Sequence, residues 1–351
     1  MRSFYRLPKG DLKSRHGSCQ RSARDAGAFS LLELLITFSM LLIIFIAVLQ
    51  FVTDVDRVWK SAAEDPYAEA QNAFEIVAQN LSSATLEVYH DYADTSGAFR
   101  TSPASSFVPD HLARRSDLDF VCAPSGGANG ILATSERITT GSAVFFLAPH
   151  GGTQIYAHSG MDHLLNALGF FVEFGDDSTG PSFLSNNHCW RWRLKEVMQP
   201  AESLEIFAPS PPMAWIQQTV QPGASLPILA ENVIALIVLP ERAANDPGEI
   251  LSPDFRYDSR DAGNPLTRNQ LPPRVRLVLV AVDDASAQRL ATRYGLNPPP
   301  LVPENLFREA GRLDADLVSL DDALTAQKVG HRILQRHILL PASAWSDASS
   351  Q

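Results

Sequence analysis

The chain has 351 residues, 45% hydrophobic and only 19% charged, which excludes a disordered polymer and fits one or two packed domains. Its net charge of −10 is uneven: residues 1–28 carry seven Lys/Arg against Asp11 and Asp25, a net +5 that leaves −15 on the rest. An acidic body argues against nucleic-acid binding through charge alone, so no nucleic acid is expected among its partners.

The basic segment 1–28 reads as a leader, and an apolar run follows it. Phe29–Val52 is 24 residues with no Pro, no Gly and one charge, Glu33. As a helix it rises about 36 Å, enough to cross a hydrocarbon core of about 30 Å. Basic residues ahead of it predict a cytoplasmic N-terminus and an external body. A secretory signal peptide is the competing reading, but its apolar region spans about 7–15 residues and its small residues follow that region. Here Ala26-Gly27-Ala28 come first.

Glu33 needs an explanation, because a carboxylate at membrane depth costs roughly 2.5–3.5 kcal/mol. Two readings are open. Either Glu33 reaches back to the interface, or a positive charge is made nearby. Cleavage before Phe29 would free an α-amine four residues from Glu33.

Residues 53–90 read as an outward continuation of this helix, kinked near Pro66 after Asp65. Tyr67, Ala70, Phe74, Val77, Leu81, Ala84 and Val88 recur at steps of three and four and predict a face packed on a sheet. Residues 91–351 read as a β-rich head. Strands are predicted at Asp117–Ala123, Ser142–Ala148, Gly169–Phe174, His188–Val197, Leu204–Ala208, Val233–Leu239, Val275–Asp283 and Arg332–Leu340. Trp190, Trp192 and Leu194 alternate with Arg191, Arg193 and Lys195, and Val233–Leu239, apolar on both faces, reads as a central strand. Helices are predicted at Ala285–Tyr294 and Asp316–Lys328. The fold class is therefore α+β: a long N-terminal helix packed on a mostly antiparallel β-sheet head.

The head carries no G-x-S-x-G, H-E-x-x-H, Walker or dinucleotide-binding pattern, so neither an enzyme nor a cofactor is expected. Its histidines lack metal-ligand spacing. Asp254, Asp258 and Asp261 could offer oxygens to Ca²⁺, but Arg256 and Arg260 interleave with them and can neutralise them instead. Of three cysteines, Cys19 lies in the leader. Cys122 and Cys189 either pair in an oxidising compartment or are buried separately.

The run Arg24-Asp25-Ala26-Gly27-Ala28-Phe29-Ser30-Leu31-Leu32-Glu33 resembles the prepilin-type cleavage and methylation signal of type IV pilins and pseudopilins. In that family a basic leader, a small residue, Phe, three residues, Glu and a long apolar helix follow in order. The family usually has Gly directly before Phe, where this chain has Ala28, with Gly27 one step earlier. Cleavage after Ala28 keeps the Phe-to-Glu spacing, and cleavage after Gly27 keeps the glycine.

Further stretches add a second resemblance: Ser83-Ala84-Thr85-Leu86, Tyr89-His90-Asp91-Tyr92, Arg115-Ser116-Asp117-Leu118-Asp119-Phe120, Leu168–Phe174, Ala230–Leu236, Asn269-Gln270-Leu271-Pro272-Pro273 and Ala344-Trp345-Ser346-Asp347. They resemble the Verru_Chthon cassette protein C family of pilin-like proteins associated with Verrucomicrobia. More distantly they are similar to J-type minor pseudopilins of type II secretion. The resemblance implies a minor pilin-like subunit of a cell-envelope filament or a type II secretion or pilus-like system. Its implied partners are a prepilin peptidase/N-methyltransferase, other pilin-like subunits and an inner-membrane assembly platform. It also implies a single span of the cytoplasmic membrane with the head in the periplasm. An uncleaved, single-pass anchored β-rich binding protein is the alternative.

Overall fold

The structure is a computed structural model that describes residues 31–63, 65–100, 107–127, 130–133, 136–176, 190–207, 214–221, 223–243, 250–261, 263–303 and 305–346. The chain divides into two compact units, Met1–Glu64 and Asp65–Gln351. In the first unit, α1 spans Leu31–Ala63. The second is mixed α and β, with antiparallel sheets.

The helix pattern is interrupted, as the Asp65-Pro66 pair predicts. The Asp65 carboxylate accepts from the Tyr67 N–H at 3.0 Å and from Gln71 Nε2 at 3.2 Å, opening a turn before α2, Ala68–Ser82. This helix buries Ala70, Ala73, Phe74, Val77, Ala78 and Leu81, a stripe at steps of three and four. It ends at Ser82 rather than running to residue 90. Glu87 takes a left-handed backbone conformation (φ 45°), which a continuing helix cannot accommodate. The chain then enters β1, Tyr89–Ala93, which pairs with β2, His111–Arg115.

Two larger sheets build the head. The first has six strands: β3 (Phe120–Pro124), β4 (Ile138–Pro149), β5 (Leu165–Gly175), β6 (Arg191–Gln199), β7 (Ile228–Glu231) and β9 (Tyr257–Asp258), in the order β7-β6-β5-β4-β3-β9. The second has three: β8 (Val233–Glu241), β10 (Arg274–Val282) and β11 (His331–Leu339), in the order β11-β10-β8. All pairings within both sheets are antiparallel. The chain passes from one sheet to the other at Asn232, whose φ of 58° suits an asparagine between β7 and β8.

Alternation along β10 explains the layering. Val275, Leu277, Leu279 and Ala281 enter a core shared with α2 and the six-stranded sheet. Val278, Val280 and Val282 enter a second core. The short α3 (Ala214–Thr219) adds Trp215 and Ile216 to the first core, and the second is closed by Ala287 of α4 (Asp284–Tyr294) and by Leu313, Leu317, Leu320 and Leu324 of α5 (Leu313–Ala326). The predicted helices are thus present, shifted by one to three residues.

Two expectations are corrected. Val233–Leu239 is buried throughout but is hydrogen-bonded on one side only, as an edge strand. Its burial comes from a core on each face, not from a strand on each side. Leu204–Ala208 forms no strand over its described residues: Glu205–Phe207 is a short 3₁₀ turn. Its apolar Leu204 and Ile206 pack on the main core from that turn.

Candidate membrane-spanning helix and sites on the head

Within α1, Leu34–Val52 is a 19-residue stretch long and apolar enough to cross a membrane, and none of it is buried. At 1.5 Å per residue it rises about 28 Å, close to the thickness of a hydrocarbon core. Its two hydroxyls do not interrupt the apolar surface. Thr37 Oγ1 donates to the Leu34 carbonyl at 3.0 Å and Ser39 Oγ to that of Ile36 at 2.8 Å, so both are satisfied within the helix. Glu33 stands one residue before this span, near the start of the described helix. Gly27, Ala28 and Phe29 lie outside the described residues.

On the head, the three carboxylates considered for calcium are occupied locally. Asp258 receives Arg260 Nε and Nη2, both at 2.9 Å. Asp254 accepts from Ser252 Oγ at 3.0 Å, and Asp261 from the Gly263 N–H at 2.8 Å. Among the described residues, no three of His, Cys, Asp and Glu gather as a metal site. His331 and His337 have separate partners, Asp321 at 2.7 Å and Glu241 at 2.8 Å. Cys122 is a buried free thiol, its pKa pushed up by burial, and its Sγ lies 3.8 Å from the Phe255 carbonyl. Cys189 lies outside the described residues.

Several charges are buried. Arg137 Nη1 donates to both Glu173 oxygens at 2.7 and 2.8 Å, while Nε and Nη2 reach the carbonyls of Val220, Gln221 and Ala224. On β6, Arg193 is only 1% exposed and donates to the carbonyls of Gly175 and Asp176 at 2.7 and 2.6 Å. Lys195 is buried too, which pulls its pKa down. The basic side of this strand therefore holds neighbouring segments together. Asp119, at the start of β3, is buried 3.4 Å from Arg260, and burial pushes its pKa up to about 6.

One concave feature stands out beside the junction of the two sheets. A narrow groove, open to solvent and with only about 20 Å³ of space, lies between the ends of β5 and β6, Asn232, α4 and the Gly295–Leu301 segment. Phe174 and Trp192 face each other across β5 and β6 with ring centroids 5.2 Å apart, and Trp190 lies 5.7 Å from Phe174 on its other contact. Leu290 and Tyr294 of α4 form the facing wall. The sequence pattern exposed the Trp190/Trp192 alternation but not the groove, which needs Asn232 and α4 beside them.

No family model matches this chain, and no curated protein or solved structure does.

Proposed function

We propose that the chain is a minor pilin-like subunit, anchored by α1 in the cytoplasmic membrane and assembled through that helix into a cell-envelope filament. The observation that carries this reading is the apolar surface of Leu34–Val52, together with Glu33 at its edge and the segment Gly27-Ala28-Phe29 before it. A helix without a polar face has no use for water and suits either lipid or a bundle of like helices. A prepilin peptidase/N-methyltransferase would remove residues up to Gly27 or Ala28 and methylate the new terminus, Phe29 in the second register. The α-amine so released would meet a neighbouring subunit's Glu33. The head would lie in the periplasm and touch other subunits, cargo or a surface.

The anchored alternative, in which the leader stays attached, is favoured by Ala28 standing where the pilin signal usually has Gly. Intact-mass measurement and N-terminal sequencing of the membrane-extracted protein separate the two. A chain beginning at Phe29 or Ala28 supports the pilin-like reading. A retained leader in cells with an active prepilin peptidase leaves only the anchor.

A further inference from the structure

Arg260 lies between two carboxylates and serves them unequally. Its Nε and Nη2 donate to Asp258, both at 2.9 Å, while Asp119 is reached only by Nη1, at 3.4 Å. A guanidinium held in this two-pronged way has its charge largely answered, so a second carboxylate gains little from it. Asp119 is also the more enclosed of the two, its side chain 12% exposed against 38% for Asp258.

A third group acts on Asp119 from α3. Trp215 Nε1 is buried without a hydrogen-bond partner, yet the indole stands where it favours the ionised form of Asp119. Buried donors are nearly always paired, so an orphan N–H beside a carboxyl marks a bond that only the anion would complete. The groups facing Asp119 are thus Asp258 of β9, Arg260 just after it, and neutral Trp215. Burial outweighs them and pushes its pKa up to about 6, so the carboxyl keeps its proton in mildly acid surroundings.

That proton decides who holds Arg260. A neutral carboxyl makes no claim on a guanidinium bonded elsewhere, whereas an anion attracts both the guanidinium and the indole N–H. The residue that must follow Arg260 is its neighbour Ser259, 1% exposed. Its N–H donates to the Phe120 carbonyl at 3.0 Å, its Oγ accepts from the Phe120 N–H at 2.9 Å, and its carbonyl accepts from the Asn269 N–H at 2.6 Å. Asn269 Nδ2 in turn donates to the Arg114 carbonyl of β2 at 2.6 Å. A line of bonds therefore runs from the neighbour of Arg260 to the β1–β2 hairpin.

We propose that Asp119 is a proton switch: protonated, it leaves Arg260 wholly to Asp258, and ionised, it draws Arg260 Nη1 and Trp215 Nε1 to itself and loosens the Ser259–Asn269 link that seats the hairpin. The switch does not depend on how the N-terminus is processed.

The test uses the full chain in lipid nanodiscs with isotope-labelled tryptophan, in which Trp215 gives one of five indole N–H signals, assigned by Trp215→Phe. That signal is expected to move downfield as pH rises, with its midpoint near 6, and Asp119→Asn is expected to abolish the movement. Hydrogen exchange then compares the parent with Asp119→Asn at equal pH. The Ser259 and Asn269 amides are expected to be about tenfold less protected in the parent at neutral pH, and alike in the two proteins in mild acid. Asp258→Asn leaves Arg260 to Asp119 and is expected to lower the midpoint, which keeps the test open if Asp119→Asn folds poorly. A Trp215 signal that does not titrate overturns the proposal, as does one that titrates unchanged in Asp119→Asn or keeps its midpoint in Asp258→Asn. Titration without any difference in amide protection overturns it as well, because Asp119 would then ionise without moving the segment.

Discussion

Gly141 of β4 lies directly against the main chain of Leu236 in β8, so a Cβ at residue 141 would land on the Leu236 carbonyl oxygen. Gly141 also holds a φ of 69° within the register shift of β4. Here the bulged strand of one sheet meets the edge strand of the other, and only a residue without a side chain fits. Gly141→Ala is expected to lower unfolding free energy by roughly 2–4 kcal/mol, from backbone strain and the forced separation together. Gly127→Ala is the comparison: its φ is 80° with nothing within 4 Å, so it loses about 1–2 kcal/mol from strain alone. Equilibrium denaturation of both variants checks the difference.

Asp119 makes the head sensitive to pH. Burial raises its pKa from 3.8 to about 6, with Arg260 opposing the rise and Asp258 adding to it. Between those values the folded chain keeps a proton that the unfolded chain has released. Stability therefore falls as pH rises through that window, by up to about 3 kcal/mol. Asp119→Asn is expected to remove this slope and to leave the head more stable at neutral pH. Denaturation midpoints between pH 4 and 7 decide it.

The Arg137–Glu173 pair is 9% and 13% exposed, so each charge depends on the other. Glu173→Ala is expected to cost about 3–5 kcal/mol by leaving the guanidinium buried without its counter-charge. The double variant Arg137→Met/Glu173→Leu is expected to cost less than the two single losses combined. A double-mutant cycle in urea measures the coupling.

Much of this head was legible because β4, β5, β8 and β10 are long runs rich in β-branched or aromatic residues. Their side chains settle both period and burial. In the structure, Asp283 starts α4 by accepting from the Ser286 N–H at 2.7 Å, and Leu313, Leu317, Leu320 and Leu324, at steps of four and three, seat α5. The β1–β2 hairpin was not legible. Tyr89, Tyr92 and Leu112 are exposed, so no buried face marks it as sheet. The groove escaped for a different reason: its walls come from residues as distant as Phe174 and Tyr294, and chain order does not show that they meet. Glu33 was legible from its setting alone, one acid against a long apolar run.

Glu33→Leu is expected to leave membrane insertion intact or easier and leader removal little changed, while cross-linking into assemblies falls. Expression beside partner pilins, with all three compared, provides the measurement. Normal cross-linking would reduce Glu33 to a tolerated interfacial carboxylate.

Cys122 is expected to react with alkylating reagents only after unfolding, since its thiol is buried and its thiolate disfavoured. Labelling the unfolded, unreduced mature chain also settles Cys189. Two reactive thiols exclude a bond between them.

Helix α2 is held on the head partly by β11, where Arg336 grips Glu75 at 2.6 and 2.7 Å and Arg332 meets Asp65 at 3.1 Å across 267 positions of sequence. A ribosome finishes the first of these partners long before it begins the second. Until residue 339 has been made and delivered, α2 lacks one of the strands it packs on and both of these ion pairs, and rests on β4, β7 and β10 alone. Closure of the head is thus an end-of-synthesis event. A polypeptide stalled before β11 should be cut more readily at α2 than the finished chain.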